Sequence, residues 1–359
     1  MLFKKSKIII SLILVSMLVV TMLTGCSGGN GGTDTGNAGG GEVKQEYKPV
    51  TLNLNHFMSP MHQLHPNVLE PFAKDVYDKT EGRVEIVIHP SNGLAAPTDV
   101  MDSVEAGIID IGFVLPDYTP GRFKLSSILE FPFMFESSLQ ANLTAKDMFD
   151  TLQKYDYKNY KLLWFGGTDI GDIFLKKPIK TVAELKGLKL RSPGPIYNDV
   201  IKELGAVEVS LPVSDLYDAM DRGIADGTFM AITALSSFKL NEVTSDIIKV
   251  NMYITPLVMA MNKNSWAKIS PDDQKIIEDL LAEFPEKIGK LYDSEVDHAI
   301  TAAKEKGVKF SELPAEEMTK FHTLVDPLIA SWIADMEKDG LPGEATFKLV
   351  KDSAAKYKK

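Results

Sequence analysis

The chain has 359 residues, a formal net charge of −10, 44% hydrophobic residues and a single cysteine. One thiol excludes an internal disulfide and a cysteine-built zinc site, and the acidic balance argues against nucleic acid as a partner. The length accommodates two lobes, each with its own core.

Lys4, Lys5 and Lys7 precede an apolar run from Ile8 to Leu23, and Leu23-Thr24-Gly25-Cys26 follows. A basic start, a short apolar run and small residues at a cleavage point describe a secretory leader rather than a spanning helix. The residues before Cys26 are similar to the bacterial lipobox, which implies a leader over 1–25 and lipidation of the Cys26 sulfur. Removing three lysines and no acidic residue moves the charge from −10 to −13. Residues 26–46 are predicted to be a tether, because Ser27–Gly41, rich in Gly, Asn, Thr and Asp, cannot bury enough apolar surface to fold. Its reach is roughly 20 Å for about 15 residues. Nothing later reads as a membrane span, so the expectation is a chain anchored to a membrane without crossing it.

Leu52–Asn55 and Val84–Ile88 read as strands, and between them Pro66 opens a helix with Leu69, Phe72 and Val76 on one face. Leu162–Phe165, Val207–Leu211 and Leu257–Met261 are further predicted strands. Thr181 and Glu184 form a capping-box pattern, Gly187 ends that turn, and Leu188–Leu190 reads as a buried strand. Arg191 closes this strand, ahead of the Ser192-Pro193-Gly194-Pro195 turn and a helix that runs to Gly205. A guanidinium beside a helix start is well placed to hold a carboxylate. Ser270-Pro271-Asp272-Asp273 opens a helix whose apolar positions continue toward Gly307 with one interruption near Pro285, which predicts a long helix spanning both lobes.

Val100–Gly112, VMDSVEAGIIDIG, corresponds to Leu216–Gly227, LYDAMDRGIADG. Each is a helix stopped by a glycine (Gly107, Gly223), followed by an aspartate (Asp110, Asp226) and a strand. Two lobes on one plan explain the repeat. Alternating helices and strands predict an α/β fold with mainly parallel sheets and a ligand in the cleft between lobes. The candidate cleft residues are Arg191, His56 and Phe57 after the first strand, Asn92, Tyr118 and Trp164. Asp169 and Asp172 are candidates to accept from a ligand hydroxyl or amine, or to hold a cation.

With these phrases in order, the chain resembles the extracytoplasmic solute-binding proteins of TRAP transporters, the C4-dicarboxylate-binding type. The resemblance runs from about Leu52 to Leu281. It is carried by His89-Pro90 leading to Asn92-Gly93-Leu94, Glu105–Gly112, Phe131-Pro132-Phe133, Leu185–Arg191, Gly205-Ala206, Ala219–Gly227 and Asn262–Gln274. It implies a bilobed periplasmic-binding-protein fold with hinge strands and a long helix spanning both lobes. The lobes are placed at 47–168 with 257–296 and at 169–256 with 297–359. It also implies capture of a small organic acid for an ion-gradient-driven permease, without ATP. A monomer is the default expectation, and no cofactor, metal or enzymatic activity is expected. Arg191 matches the family arginine that pairs with the substrate carboxylate. Two positions depart from the pattern: Gly166–Asp172 lacks a second arginine, and Met230 stands where many members have asparagine. Both departures predict a monocarboxylate with an apolar or donor-bearing tail.

Other classes fit less well. His56, His62 and His65, interleaved with Met58 and Met61, raise a metal-binding lipoprotein, but the spacing is not a zinc pattern and Pro60 and Pro66 break any helix that would align the rings. No Gly-x-Ser-x-Gly, His-Glu-x-x-His or P-loop supports an enzyme. The binding protein of an ATP-driven importer, or a sensor subunit, would share the architecture.

Overall fold

The computed structural model describes residues 47–358. The leader, the tether and Cys26 lie outside the described residues. In chain order the strands are β1 Val50–His56, β2 Val84–His89, β3 Ile111–Val114, β4 Tyr160–Gly167, β5 Gly171–Leu175, β6 Lys189–Ser192, β7 Val207–Ser210, β8 Gly227–Ala231, β9 Asp246–Tyr253, β10 Pro256–Asn262 and β11 Lys309–Glu312. They form two sheets, ordered β2-β1-β3-β10-β4 and β11-β9-β5-β8-β6-β7, and each sheet is the centre of one lobe.

Pairing is mixed rather than mainly parallel. Strands reached through a crossover helix run parallel: β1 with β2 and β3, β6 with β7 and β8, and β9 with β11. The crossing strands break the rule, since β10 is antiparallel to β3 and β4, and β5 is antiparallel to β8 and β9. These four strands carry the chain between sheets through links of only three and two residues, 168–170 and 254–255, which leave no room for a helical crossover. The two links are tied to each other: Thr168 N donates to Thr255 O at 3.1 Å, and Thr255 N to Thr168 Oγ1 at 3.2 Å.

The repeat folds as the sequence predicts. Helices Val100–Glu105 and Leu216–Asp221 each end at a glycine in the left-handed region, Gly107 at φ 73° and Gly223 at φ 71°. The aspartate that follows performs the same task in each lobe. Asp110 Oδ2 accepts from the backbone N of Asn53 in β1 at 2.8 Å, and Asp226 Oδ2 from that of Lys189 in β6 at 2.9 Å.

The predicted single helix from Ser270 is two, Pro271–Leu281 and Phe284–Glu305. Ser270 caps the first, its Oγ accepting from Asp273 N at 3.1 Å, and Pro285 sits in the first turn of the second, where its missing N–H costs nothing. The second helix touches both β4 and β11, so one rod bridges the two sheets. Helix Gly343–Tyr357, which the sequence assigns to the second lobe, packs against helix Ser138–Asp147 beside β4. Ser353 Oγ donates to Asp147 Oδ2 at 2.7 Å and Gln140 Nε2 to Ala354 O at 2.8 Å.

Candidate functional site

Arg191 lies within β6 and is only 1% exposed. The donors of a guanidinium so deeply buried need acceptors. Nε donates to Leu211 O at 2.9 Å, and Nη2 reaches the Tyr118 hydroxyl at 3.4 Å, a long contact. That hydroxyl is fixed from the other side by Val213 N at 2.9 Å. Among the described residues, Nη1 has no acceptor.

Two carboxyl groups stand nearby. Asp117 and Glu130 are buried, and Asp117 Oδ2 and both Glu130 oxygens lack a conventional hydrogen-bond partner. Burial raises the Asp117 pKa to about 6, against the opposing pull of a Glu130 hydrogen bond and the Arg191 charge. Burial, then the Asp117 charge, pushes Glu130 well above the usual carboxyl range. The pair therefore shares a proton near neutral pH, as two close carboxyls in a low-dielectric site do. Neither carboxyl is hydrogen-bonded to Arg191, whose side chain hydrogen-bonds only to Leu211 O and the Tyr118 hydroxyl among the described residues.

Arg191 lines a cavity of about 30 Å³ between the sheets. Phe57 and Met58 after β1, Leu115 after β3, Met230 in β8, Thr168 and Thr255 in the two links, Phe238, and Tyr292 of the bridging helix form most of the remaining wall. The surroundings are apolar with one fixed positive charge, a description that suits an acid with a hydrophobic body. A larger groove of about 410 Å³ opens on Asp117, Asp199, Asp335 and Asp339; its carboxylates make it a poor anion site.

Residues 54–335 match the family described as bacterial extracellular solute-binding protein, family 7 (DctP). The chain belongs to this family. Its members are the solute-binding proteins of TRAP transporters. Among curated relatives, the outer membrane transporter protein TsaT of Comamonas testosteroni is 26% identical over 317 residues, covering 85% of this chain and 92% of its own. A marine metagenome TRAP solute-binding protein specific for aromatic acid ligands, solved with metahydroxyphenylacetate, is 29% identical. It superposes with a TM-score of 0.81 over 86% of this chain and all of its own. A TRAP solute-binding protein from Rhodoferax ferrireducens T118, solved with copurified benzoate, is 27% identical, with a TM-score of 0.80 over 86% and 98% of the two chains.

Within this family fold the sequence-predicted residues separate into three groups. Arg191, Phe57 and Met230 line the cavity, and Tyr118 stands behind Arg191. His56, Asn92 and Asp169 adjoin it without forming its wall. Asn92 N donates to His56 O at 3.0 Å, with Asn92 held at φ 60°. Asp169 accepts from the Thr233 hydroxyl at 2.5 Å and from Thr233 N at 3.2 Å, so it positions a wall residue; burial raises its pKa to about 6. Trp164 and Asp172 lie elsewhere. Trp164 stacks on Phe113 with centroids 5.6 Å apart and opens onto a different hollow with Phe149 and Leu281. Asp172 accepts from Val250 N and Asn251 N, both at 2.9 Å, which makes it the tie that holds the left-handed Asn251 in β9.

Two of the three histidines are bonded to each other rather than turned toward a common point. His56 Nε2 and His65 Nδ1 are hydrogen-bonded directly at 2.9 Å, and His65 Nε2 lies 3.2 Å from Glu70. Among the described residues there is no grouping of metal-ligating side chains. Phe238 and Tyr292 carry no sequence signal for the site, because apolar residues at helical or loop positions read as core.

Proposed function

We propose that this protein captures an aromatic monocarboxylate between its lobes and delivers it to the membrane subunits of an ion-gradient-driven TRAP permease. Arg191 carries the reading: a buried guanidinium lining the cavity, with Nη1 unclaimed and Nη2 weakly held, is set to take a carboxylate in its fork. The ring-bearing acids bound by two relatives support an aromatic body. Met230, and the lack of a second arginine in 166–172, favour one acid group over two.

The cavity of about 30 Å³ is far smaller than the roughly 150 Å³ that holds benzene in a protein core. Ligand entry therefore requires the lobes to part about the 168–170 and 254–255 links and to close again on the ligand. We read 1–25 as a leader and Cys26 as lipidated, which would keep the protein extracytoplasmic at a membrane surface; intact-mass analysis of membrane-extracted protein checks this.

A thermal-shift panel of benzoate, 3-hydroxybenzoate, succinate and malate tests the ligand class. The ring acids should raise the melting temperature most. Arg191→Lys should weaken binding by about 2 kcal/mol, roughly thirtyfold in Kd. Succinate or malate as the tightest binder would refute the monocarboxylate reading.

A further inference from the structure

A row of aromatic contacts leads away from Arg191. Its Nη2 meets the Tyr118 hydroxyl, the Tyr118 ring meets Phe57 edge-on at 6.3 Å, Phe57 faces Phe238 at 6.4 Å and 10° from parallel, and Phe238 meets the edge of His62 at 6.2 Å. Arg191 and His62 are thus the two ends of the row, and both line the cavity.

The His62 ring has a defined hydrogen-bonding polarity. Leu64 N donates to its Nδ1 at 3.3 Å, so Nδ1 is the bare nitrogen and Nε2 carries the proton. The ring is 6% exposed, and burial lowers its pKa to about 4, which leaves it neutral at pH 7. Among the described residues, Nε2 has no acceptor. The neighbouring hydroxyls are either committed or adaptable. That of Thr168 donates to Asp169 O and accepts from Thr255 N, and that of Thr233 donates to Asp169 Oδ1. The hydroxyls of Thr255 and Tyr292 rotate and serve as donor or acceptor. Apart from Arg191, His62 offers the cavity a ring donor whose direction is fixed by the Leu64 N–His62 Nδ1 bond.

Resting on the carboxylate reading above, we propose that His62 is a specificity residue, whose Nε2–H donates to an uncharged oxygen on the ligand, hydroxyl or carbonyl, remote from the carboxylate that Arg191 takes. A neutral imidazole supplies no charge to balance a second carboxylate, so the donor that accepts a hydroxyl-bearing acid disfavours a diacid. The ligand class is narrowed to aromatic monocarboxylates with a polar, uncharged ring substituent.

Calorimetric titration of wild type, His62→Leu and His62→Gln with benzoate, 3-hydroxybenzoate and 4-hydroxybenzoate tests this. One hydroxybenzoate should bind wild type at least about tenfold more tightly than benzoate. His62→Leu should reduce that preference to below about threefold, and His62→Gln, which keeps an amide donor, should retain it. If His62→Leu does not fold, His62→Phe takes its place. An unchanged preference in the leucine variant, or an equal loss for all three acids, overturns the proposal. Wild type binding benzoate as tightly as both hydroxybenzoates also overturns it but leaves the carboxylate reading standing. If wild type binds no carboxylate of either panel, both fall.

Discussion

Gly194→Ala tests how closely the two lobes must meet. Gly194 follows β6, in the second lobe, and a Cβ added there would stand 2.4 Å from Asp117 Cγ and 2.6 Å from Asp117 Cβ, in the turn after β3 of the first lobe. The backbone is no obstacle, since φ at Gly194 is −169°, an extended conformation open to any residue. The conflict is one of space, and Asp117 Cβ cannot swing aside because it is bonded directly to the main chain. The lobes relieve it by staying slightly apart, so the cost falls on closure. Overpacking of this kind costs about 1–3 kcal/mol, which corresponds to roughly 5- to 150-fold in Kd if only the closed form holds ligand. Calorimetry with the tightest acid of the panel measures the loss, and small-angle scattering with saturating ligand should show a larger radius of gyration. Asp117→Gly in the same chain removes the opposing atoms and should recover most of the affinity in a double-mutant cycle. Binding by Gly194→Ala within twofold of wild type, or a defect that Asp117→Gly leaves untouched, would refute the reasoning.

The buried acid pair sets a pH dependence. The pKa values of Asp117 and Glu130 are raised in the folded state, chiefly by burial, so the native chain binds more protons than the unfolded one. Stability from this pair is present at low pH and is lost as pH rises from about 4 through the folded value near 6 for Asp117, and further still for Glu130. Glu130→Gln should flatten the decline in melting temperature between pH 5 and 8, and an unchanged slope would count against the shared proton. Asp172→Ala should destabilise the fold by about 2–4 kcal/mol, because two backbone N–H groups of β9 lose their acceptor, while Kd stays within threefold. A large loss of affinity at unchanged melting temperature would return Asp172 to the site.

What the sequence reveals of this molecule follows from range. The repeat, β1, β2, β4 and Arg191 are local: periodicity, a stop glycine or a turn signals each one. Strands β5 and β9 are not legible, since buried polar residues interrupt their apolar pattern, and β11 is a four-residue strand with no buried side chain to mark it. Asp172 and Asp246 look like loop residues until the groups they bind are in place, and Asn251 enters the left-handed region in the middle of β9. The cavity wall is least legible of all. Phe57 meets Phe238 across 181 positions only because two sheets approach each other, and no local pattern encodes that meeting. Trp164 and Asp172 show the converse: one late in β4 and the other at the start of β5, they turn away from the cleft to pack or to hold backbone.

The repeat also explains why Arg191 stands where it does. Asp110 ties Asn53 and Asp226 ties Lys189, so the equivalent of Arg191 in the first lobe is two residues past Asn53, at Asn55. Pairing agrees: Asn55 lies opposite Gly112, two residues after Asp110, and Arg191 opposite Thr228, two residues after Asp226. Both residues tie their strand to the loop after the lobe's outer strand. Asn55 Oδ1 accepts from Leu94 N at 3.0 Å, and Arg191 Nε donates to Leu211 O at 2.9 Å. The amide of Asn55 is short and spends its oxygen on that tie. The guanidinium makes the same tie with one of its five donors and carries the rest further. One bond holds Arg191 in the architecture, and the donors left over face the cleft, so a position that is structural in one lobe becomes available for binding in the other.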